Sequence, residues 1–283
     1  MAATDTIERP NRRITIDPVT PTVGAEIHGV DLSKPIDDET FAEIHEALLE
    51  HCVIFFRDQE LDHDTHKAFG RRFGELAVHP AIPGPEGHPE ILPIHADENS
   101  TYIAGERWHS DVSCDARPPL GSILYLHTVP ATGGDTMFAN MYAAYDALSD
   151  RMKSYLEGLT AHHDGAPQYR GRYKDLGVED AGKVYPSADH PVVRRHPETG
   201  RKCLFVNPIF TTKINDLPRH ESDSVLRMLF EHTQNPDFQV RFRWRPGSVA
   251  FWDNRCVQHI AIWDYFPNVR SGYRVTIEGS APA

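Results

Sequence analysis

An α+β fold with a mainly antiparallel core is predicted by three features of this 283-residue chain. Helical spacing of apolar residues is confined to two segments near the start and two insertions further on. From residue 76 onward, short apolar runs alternate with Pro/Gly turns, the pattern of a β-sandwich or barrel. The 22 Pro and 19 Gly are scattered as punctuation, so no linker divides the chain. A single domain over residues 13–283 is expected, behind a flexible leader over residues 1–12. A hydrophobic fraction of 40% at this length fills a substantial core.

The elements follow in order. Arg13 to Ile16 reads as a strand, and Gly24-Ala25-Glu26-Ile27 leads to a turn at Gly29. Asp37 to His51 carries Phe41, Ile44, Ala47 and Leu48 at helical spacing behind acidic capping residues, an amphipathic helix. Cys52 to Phe56 reads as a buried strand ended by Arg57-Asp58, and His63 to Phe73 as a second helix closing at Gly74. The apolar runs Ile91–Ile94, Ser122–His127, Cys203–Asn207, Gln239–Trp244, Ser248–Trp252 and Tyr273–Glu278 are the candidate core strands. Met141 to Glu157 and Glu221 to Thr233 are the two helical insertions. The Pro-rich stretch 80–90 and the polar stretch 165–190 read as long loops, which in a compact domain are functional lids or disordered segments.

Charge narrows the function. With 29 Lys+Arg against 41 Asp+Glu, the net charge of −12 argues against a partner that presents many phosphates, so no nucleic-acid role is expected. No apolar stretch approaches the roughly 18–20 residues of a membrane helix. The polar N-terminus lacks the apolar core of a signal peptide. Cys52, Cys114, Cys203 and Cys256 lie far apart, which suits a reducing, cytoplasmic setting better than a disulfide framework or a zinc clip. Seventeen histidines are the unusual feature.

Three His-x-Asp triplets have metal-ligand spacing: His95/Asp97, His109/Asp111 and His162/Asp164. On a strand, residues i and i+2 share a face, so an imidazole and a carboxylate could hold adjacent corners of one ion. A second histidine from elsewhere would complete the two-histidine, one-carboxylate set of non-haem Fe(II) oxygenases. His95/Asp97 leads into a polar loop and reads as solvated. His162/Asp164 precedes Gly165 and Pro167, where Asp commonly caps a turn. His109/Asp111, inside Arg107-Trp108-His109-Ser110-Asp111-Val112-Ser113, suits a strand edge facing a cavity and is the pair chosen. Further on, His259 follows an apolar strand and a polar turn; the bland alternative is a hydrogen-bonded core histidine. Arg270 and Arg274 would place two guanidinium groups near one pocket, the alternative being surface ion pairs. Arg is the side chain best shaped to grip a carboxylate or sulfonate through paired hydrogen bonds.

With these residues in place, the chain resembles the Fe(II)/2-oxoglutarate-dependent dioxygenases of the taurine dioxygenase (TauD/TfdA) family. The matching motifs run in order from Val23-Gly24-Ala25-Glu26-Ile27 through Val53-Ile54-Phe55-Phe56-Arg57-Asp58-Gln59, Trp108-His109-Ser110-Asp111 and Gly133-Gly134-Asp135-Thr136. They continue with His190-Pro191-Val192-Val193, Leu204-Phe205-Val206-Asn207, Trp252-Asp253-Asn254-Arg255, Gln258-His259, Arg270 and Arg274. The resemblance implies a double-stranded β-helix (jelly roll) core with flanking helices, and His109, Asp111 and His259 as ligands of Fe(2+). It implies that Thr136 and Arg270 bind the distal carboxylate of 2-oxoglutarate, and that Arg274, His79 and the backbone of Val112 face the anionic head of the primary substrate. Fe(II), 2-oxoglutarate and O2 would then act together, releasing succinate and CO2 while the substrate is hydroxylated. Family members are commonly homo-oligomers, and the same is expected here.

The chain departs from the taurine-specific pattern at sites that matter for substrate. An aromatic hydroxyl is replaced by Ile82, three residues after His79, and an asparagine by Gly105, four residues before His109. A small hydroxyl in the middle loop is replaced near Gln168, while Phe210 and Tyr169 add apolar surface. These changes predict that the anion anchor is retained and the amine site lost. A sulfonate, sulfate ester or aryloxyalkanoate is therefore expected rather than taurine itself. Taurine dioxygenase proper, a hydrolase using the same ligands around Zn²⁺, and a non-catalytic 2-oxoglutarate binder are the rivals.

Overall fold

The computed structural model describes residues 13–79, 82–171 and 182–283, so the expected leader over residues 1–12 lies outside the described residues. Its largest sheet has seven strands. They are β1 (Thr15–Pro18), β2 (Ala25–His28), β3 (Val53–Phe56), β4 (Leu92–Ala96), β5 (Gly121–Thr128), β13 (Ser248–Asp253) and β15 (Arg270–Ile277), in the spatial order β1-β2-β3-β13-β5-β15-β4. A three-stranded sheet joins β12 (Gln239–Phe242), β6 (Thr136–Asn140) and β14 (Val257–Ala261). Another joins β11 (Thr211–Ile214), β7 (Thr160–Asp164) and β8 (Ser187–Pro191), and β9 (Val193–Arg195) pairs with β10 (Lys202–Leu204). Every strand pairing is antiparallel except β2 with β3.

Alternation along the strands sorts side chains into two cores. Val53 and Phe55 of β3, Leu124 and Leu126 of β5, and Ala250 and Trp252 of β13 point to one side, where they meet Phe138 of β6 and Phe242 of β12. Phe55 lies flat on Phe242 with ring centroids 3.9 Å apart. Ile54, Phe56, Ile123, Tyr125, Val249 and Phe251 point to the other side and pack on two helices. These are α1 (Asp38–His51), through Ile44, Ala47 and Leu48, and α2 (His63–Arg71), through Phe69. The central sheet is thus covered on both faces, which is why β3 reads as an unbroken apolar run rather than an alternating one.

Both helices begin where their capping residues stand. The Asp37 carboxylate accepts from the Thr40 N–H, and Asp62 and Thr65 form a reciprocal capping box. Cys52 ends α1 with φ +67°, so the strand begins at Val53. The Met141–Glu157 insertion is not one helix but two, α3 (Met141–Asp146) and α4 (Asp150–Leu156). Ser149 starts α4 by accepting from the Met152 N–H, a cap that competes with helix continuation. The second insertion is α6 (Arg219–His232). The 165–190 stretch is not loop throughout: it holds the short α5 (Ala166–Tyr169) and β8, and its residues 172–181 lie outside the described residues. Residues 82–90 carry no helix or strand, as expected for the Pro-rich stretch.

One buried histidine makes stability depend on pH. His66 is 1% exposed, its Nε2 lies 3.1 Å from the Ile123 carbonyl, and burial pulls its pKa from 6.5 down to about 4. The unfolded chain therefore takes up a proton near pH 6.5 that the folded one refuses until about pH 4. Stability is full above that window and is lost as pH falls through it, by about 3 kcal/mol from this residue alone. In melting curves recorded from pH 7 to 4, His66→Gln is expected to flatten that slope. An unchanged slope would remove His66 as its source.

Candidate active site

The candidate residues converge at one end of the space between the large sheet and the β12-β6-β14 sheet. His259 lies in β14, opposite Phe138 of β6. His109 joins it through an isolated bridge: the His109 N–H donates to the His259 carbonyl at 3.1 Å, and the reverse bond is 2.8 Å. The two rings sit 4.1 Å apart. Asp111 is not on a strand. It lies in the turn after His109, where Val112 has φ +45°, so the shared strand face expected of the pair does not describe it. His109, Asp111 and His259 bring one ligand atom each to within 4.8 Å of one another, all buried.

The surroundings decide which atoms are presented. His109 Nδ1 lies 2.9 Å from the Arg107 carbonyl; this carbonyl accepts the Nδ1 proton and leaves Nε2 with its lone pair. His109 Nε2 is 3.6 Å and His259 Nε2 3.9 Å from Asp111 Oδ1. Asp111 Oδ2 instead accepts from the Ser122 hydroxyl at 2.7 Å. Burial alone would raise the Asp111 pKa, but Arg274, followed by His259 and His109, holds it well below the usual carboxylate range. Burial and the adjacent His109 keep His259 neutral, with its pKa well below the usual imidazole value. Its Nδ1 is buried without a hydrogen-bond partner among the described residues. Two imidazoles and one ionised carboxylate form a donor set that fits a divalent transition metal. Gly105 closes the site behind His109: its φ is +81°, and a Cβ there would lie 3.0 Å from His109 Cε1.

Two arginines flank the triad on different partners. Arg274 donates to Asp111 Oδ1 at 3.0 Å. Arg270 is 6% exposed, and burial lowers its pKa to about 10, so it stays a cation at neutral pH. Its only acceptors among the described residues are neutral, the Gly134 carbonyl at 2.9 Å and the Thr136 hydroxyl at 3.3 Å, and it lies over the Trp244 ring. Thr136 Oγ1 also accepts from the Trp244 indole at 3.0 Å, so its own proton is turned away from both donors. A buried cation beside an outward-facing hydroxyl suits an anionic ligand. Thr136 is paired with Ala261, two residues beyond His259, which places this anion site beside the triad.

On the Arg274 side opens a cavity of about 560 Å³ lined by His79, Arg274, Val112, Ala77, Leu92 and Thr276, among others. His79 Nδ1 accepts from the Ile82 N–H at 3.0 Å, leaving its proton on Nε2; burial and then Arg274 lower its pKa to about 4. Ile82 thus serves His79 through its backbone, and its side chain is not among the cavity-lining residues. Phe210 packs with Cys114, Tyr169 and Ile209 behind Val112 rather than lining the cavity.

The other two triplets have separate fates. The His95 ring is exposed beside Asp97. His162 lies in β7 rather than a turn and pairs with Asp189, while Asp164 caps the Ala166 N–H as expected. A second buried group, His196, Asp253 and Cys256, has metal-like spacing, but both Asp253 oxygens are already engaged by Arg255, and His196 holds one of them too. It anchors the turn that carries Asn254. Spacing in the sequence did not point to Ser122, Trp244 or Asn254; Ser122 lies in β5, Trp244 just beyond β12 and Asn254 in the turn after β13.

Known proteins resemble the chain over most of its length. The model of the family described as "Taurine catabolism dioxygenase TauD, TfdA family" matches residues 15–276. An alkylsulfatase of Acinetobacter baylyi is 36% identical over 282 residues, covering 96% of this chain and 87% of that protein. An alpha-ketoglutarate-dependent sulfate ester dioxygenase of Pseudomonas putida is 35% identical over 277 residues, covering 95% and 91%. A crystal structure of a taurine dioxygenase from Burkholderia xenovorans superposes with a TM-score of 0.84 at 38% identity, covering 96% of this chain and 91% of that one.

Proposed function

The chain belongs to the TauD, TfdA family, and from that premise we propose that it hydroxylates a small organic anion, with a sulfate ester or sulfonate favoured over taurine. It is a non-haem Fe(II)/2-oxoglutarate-dependent dioxygenase that consumes O2 and converts 2-oxoglutarate to succinate and CO2. The observation that supports the residue assignment is the convergence of His109, Asp111 and His259 beside the half-buried Arg274 and the buried Arg270. Bound together, Fe(II), 2-oxoglutarate and O2 supply the oxidising chemistry.

The protein's part is placement. His109 and His259 would hold the metal through Nε2 and Asp111 through Oδ1. Arg270 and the outward proton of Thr136 take the distal carboxylate of 2-oxoglutarate. Arg274 and the Nε2 proton of His79 take the anionic head of the primary substrate, with Val112 beside it, so one particular carbon meets the metal. For a sulfate ester, hydroxylation of the carbon bearing the ester oxygen gives a hemiacetal-like product. It collapses to the aldehyde as the C–O bond to sulfate breaks and the hydroxyl proton leaves. The lack of a polar side chain at Gly105 and Ile82, where an amine contact would need one, supports the loss of the amine site, with Phe210 filling the wall behind Val112. The proposal includes a double-stranded β-helix core, one domain over residues 13–283, a homo-oligomer and a cytoplasmic setting. Four buried, unpaired cysteines support the last.

Succinate release with Fe(II) and 2-oxoglutarate, screened across alkyl sulfates, alkyl sulfonates, aryloxyalkanoates and taurine, tests the reading. Alkyl sulfates or sulfonates are expected to exceed taurine by at least tenfold in kcat/KM. Taurine matching the best of them would overturn the loss of the amine site.

A further inference from the structure

We propose that Ser122 and Asn254 are positioning residues that make Asp111 meet the metal through Oδ1 alone. The inference rests on the assignment of Asp111 as a metal ligand and goes on to say how its carboxylate is held. Four hydrogen bonds fix the arrangement. Asn254 Oδ1 accepts from the Asp111 N–H at 3.1 Å and from the Trp252 indole at 3.0 Å. Two donors on one amide oxygen settle which way the amide faces. Its Nδ2 therefore points at Ser122 Oγ, 3.2 Å away, and donates to it. A serine hydroxyl has one proton, and with Asn254 donating to the oxygen, that proton goes to Asp111 Oδ2 at 2.7 Å.

The ring closes on Asp111 from both ends, backbone and carboxylate. No water competes: Ser122 is 0%, Asn254 1%, Trp252 1% and Asp111 4% exposed. The frame is rigid because Ser122 of β5 is the ladder partner of Trp252 of β13, two residues before Asn254. Turning the carboxylate to present both oxygens would break a short, charge-assisted bond in a dry site. Oδ1 is left facing the two imidazole Nε2 atoms. The Ser122–Asn254 pair would thus leave Asp111 to hold a bound metal through one oxygen.

The test is Co(II) affinity of the full chain at fixed pH, read by the visible absorption of the bound ion and by calorimetry, beside the melting temperature of the metal-free protein. Ser122→Ala is expected to weaken Co(II) binding by about 10–100-fold, the usual effect of losing such a partner. Asn254→Asp, nearly identical in shape, is expected to weaken it comparably because its carboxylate captures the Ser122 proton. Ser122→Thr keeps the hydroxyl and is expected to stay within about threefold of wild type. A merely structural role would lower the melting temperature and leave Co(II) affinity unchanged. Wild-type affinity in Ser122→Ala or Asn254→Asp would overturn the proposal, and should the alanine variant not fold, Asn254→Asp decides alone by the same criterion. Failure of the parent reading looks different: the wild-type chain itself would then not bind Co(II).

Discussion

Replacing Asp111 by alanine is expected to abolish metal binding and succinate formation together. Asp111 supplies the only carboxylate of the triad and, among the described residues, the only ion pair of Arg274. Without it, two imidazoles would have to hold a dication beside a half-buried guanidinium that has lost its carboxylate partner. Even the loss of an outer partner costs 10–100-fold in metal affinity, so losing the ligand itself should cost at least about a hundredfold. Metal titration of Asp111→Ala, with succinate production assayed alongside, reads both effects. Normal turnover by the variant would refute the assignment of the site.

The second large effect separates the two arginines. Arg274→Ala is expected to reduce kcat/KM for the primary substrate by roughly two to three orders of magnitude. That is the scale of two charge-assisted hydrogen bonds lost from a buried anion. The KM for 2-oxoglutarate should stay within about threefold, because Arg270 and Thr136 are untouched. Metal affinity is not expected to fall, since Arg274 competes for the Asp111 oxygen offered to the metal. Arg270→Ala is expected to do the reverse, raising the KM for 2-oxoglutarate by a similar factor. Arg274→Lys should recover only part of the loss, since an ammonium cannot match a two-oxygen anion bidentately. Kinetics in which the variants exchange these signatures would overturn the division of roles.

What was legible in the sequence divides along physical lines. α1 and β3 read clearly because capping residues and apolar spacing act locally, and both match the structure within a residue. The helix over Met141–Glu157 was read as continuous because its apolar positions stay in phase across the break. The Leu148-Ser149-Asp150 cap was the signal for two helices. At the site, His109, Asp111 and His259 were legible through ordered motifs, yet the strand argument for Asp111 does not describe its turn. Asn254 falls in the Trp252-Asp253-Asn254-Arg255 motif and Ser122 and Trp244 in apolar runs, but nothing local marks their contacts at the site. Their roles arise from the pairing of β5 with β13 and the packing of Trp244 on β6, which no short window of sequence contains.

The reciprocal backbone bonds between His109 and His259 also set a timetable for synthesis. The two imidazoles are contributed by opposite halves of the chain, and the strand that carries both arginines is the last in sequence, yet it sits between β5 and β4. While the chain is still being made, an emerging His109–Asp111 segment has neither its second imidazole nor either guanidinium. Pairings this distant form late. A metal site built from His109, Asp111 and His259 would therefore be complete only after β14 and β15 have been made, and a nascent chain would offer stray metal ions only half of it.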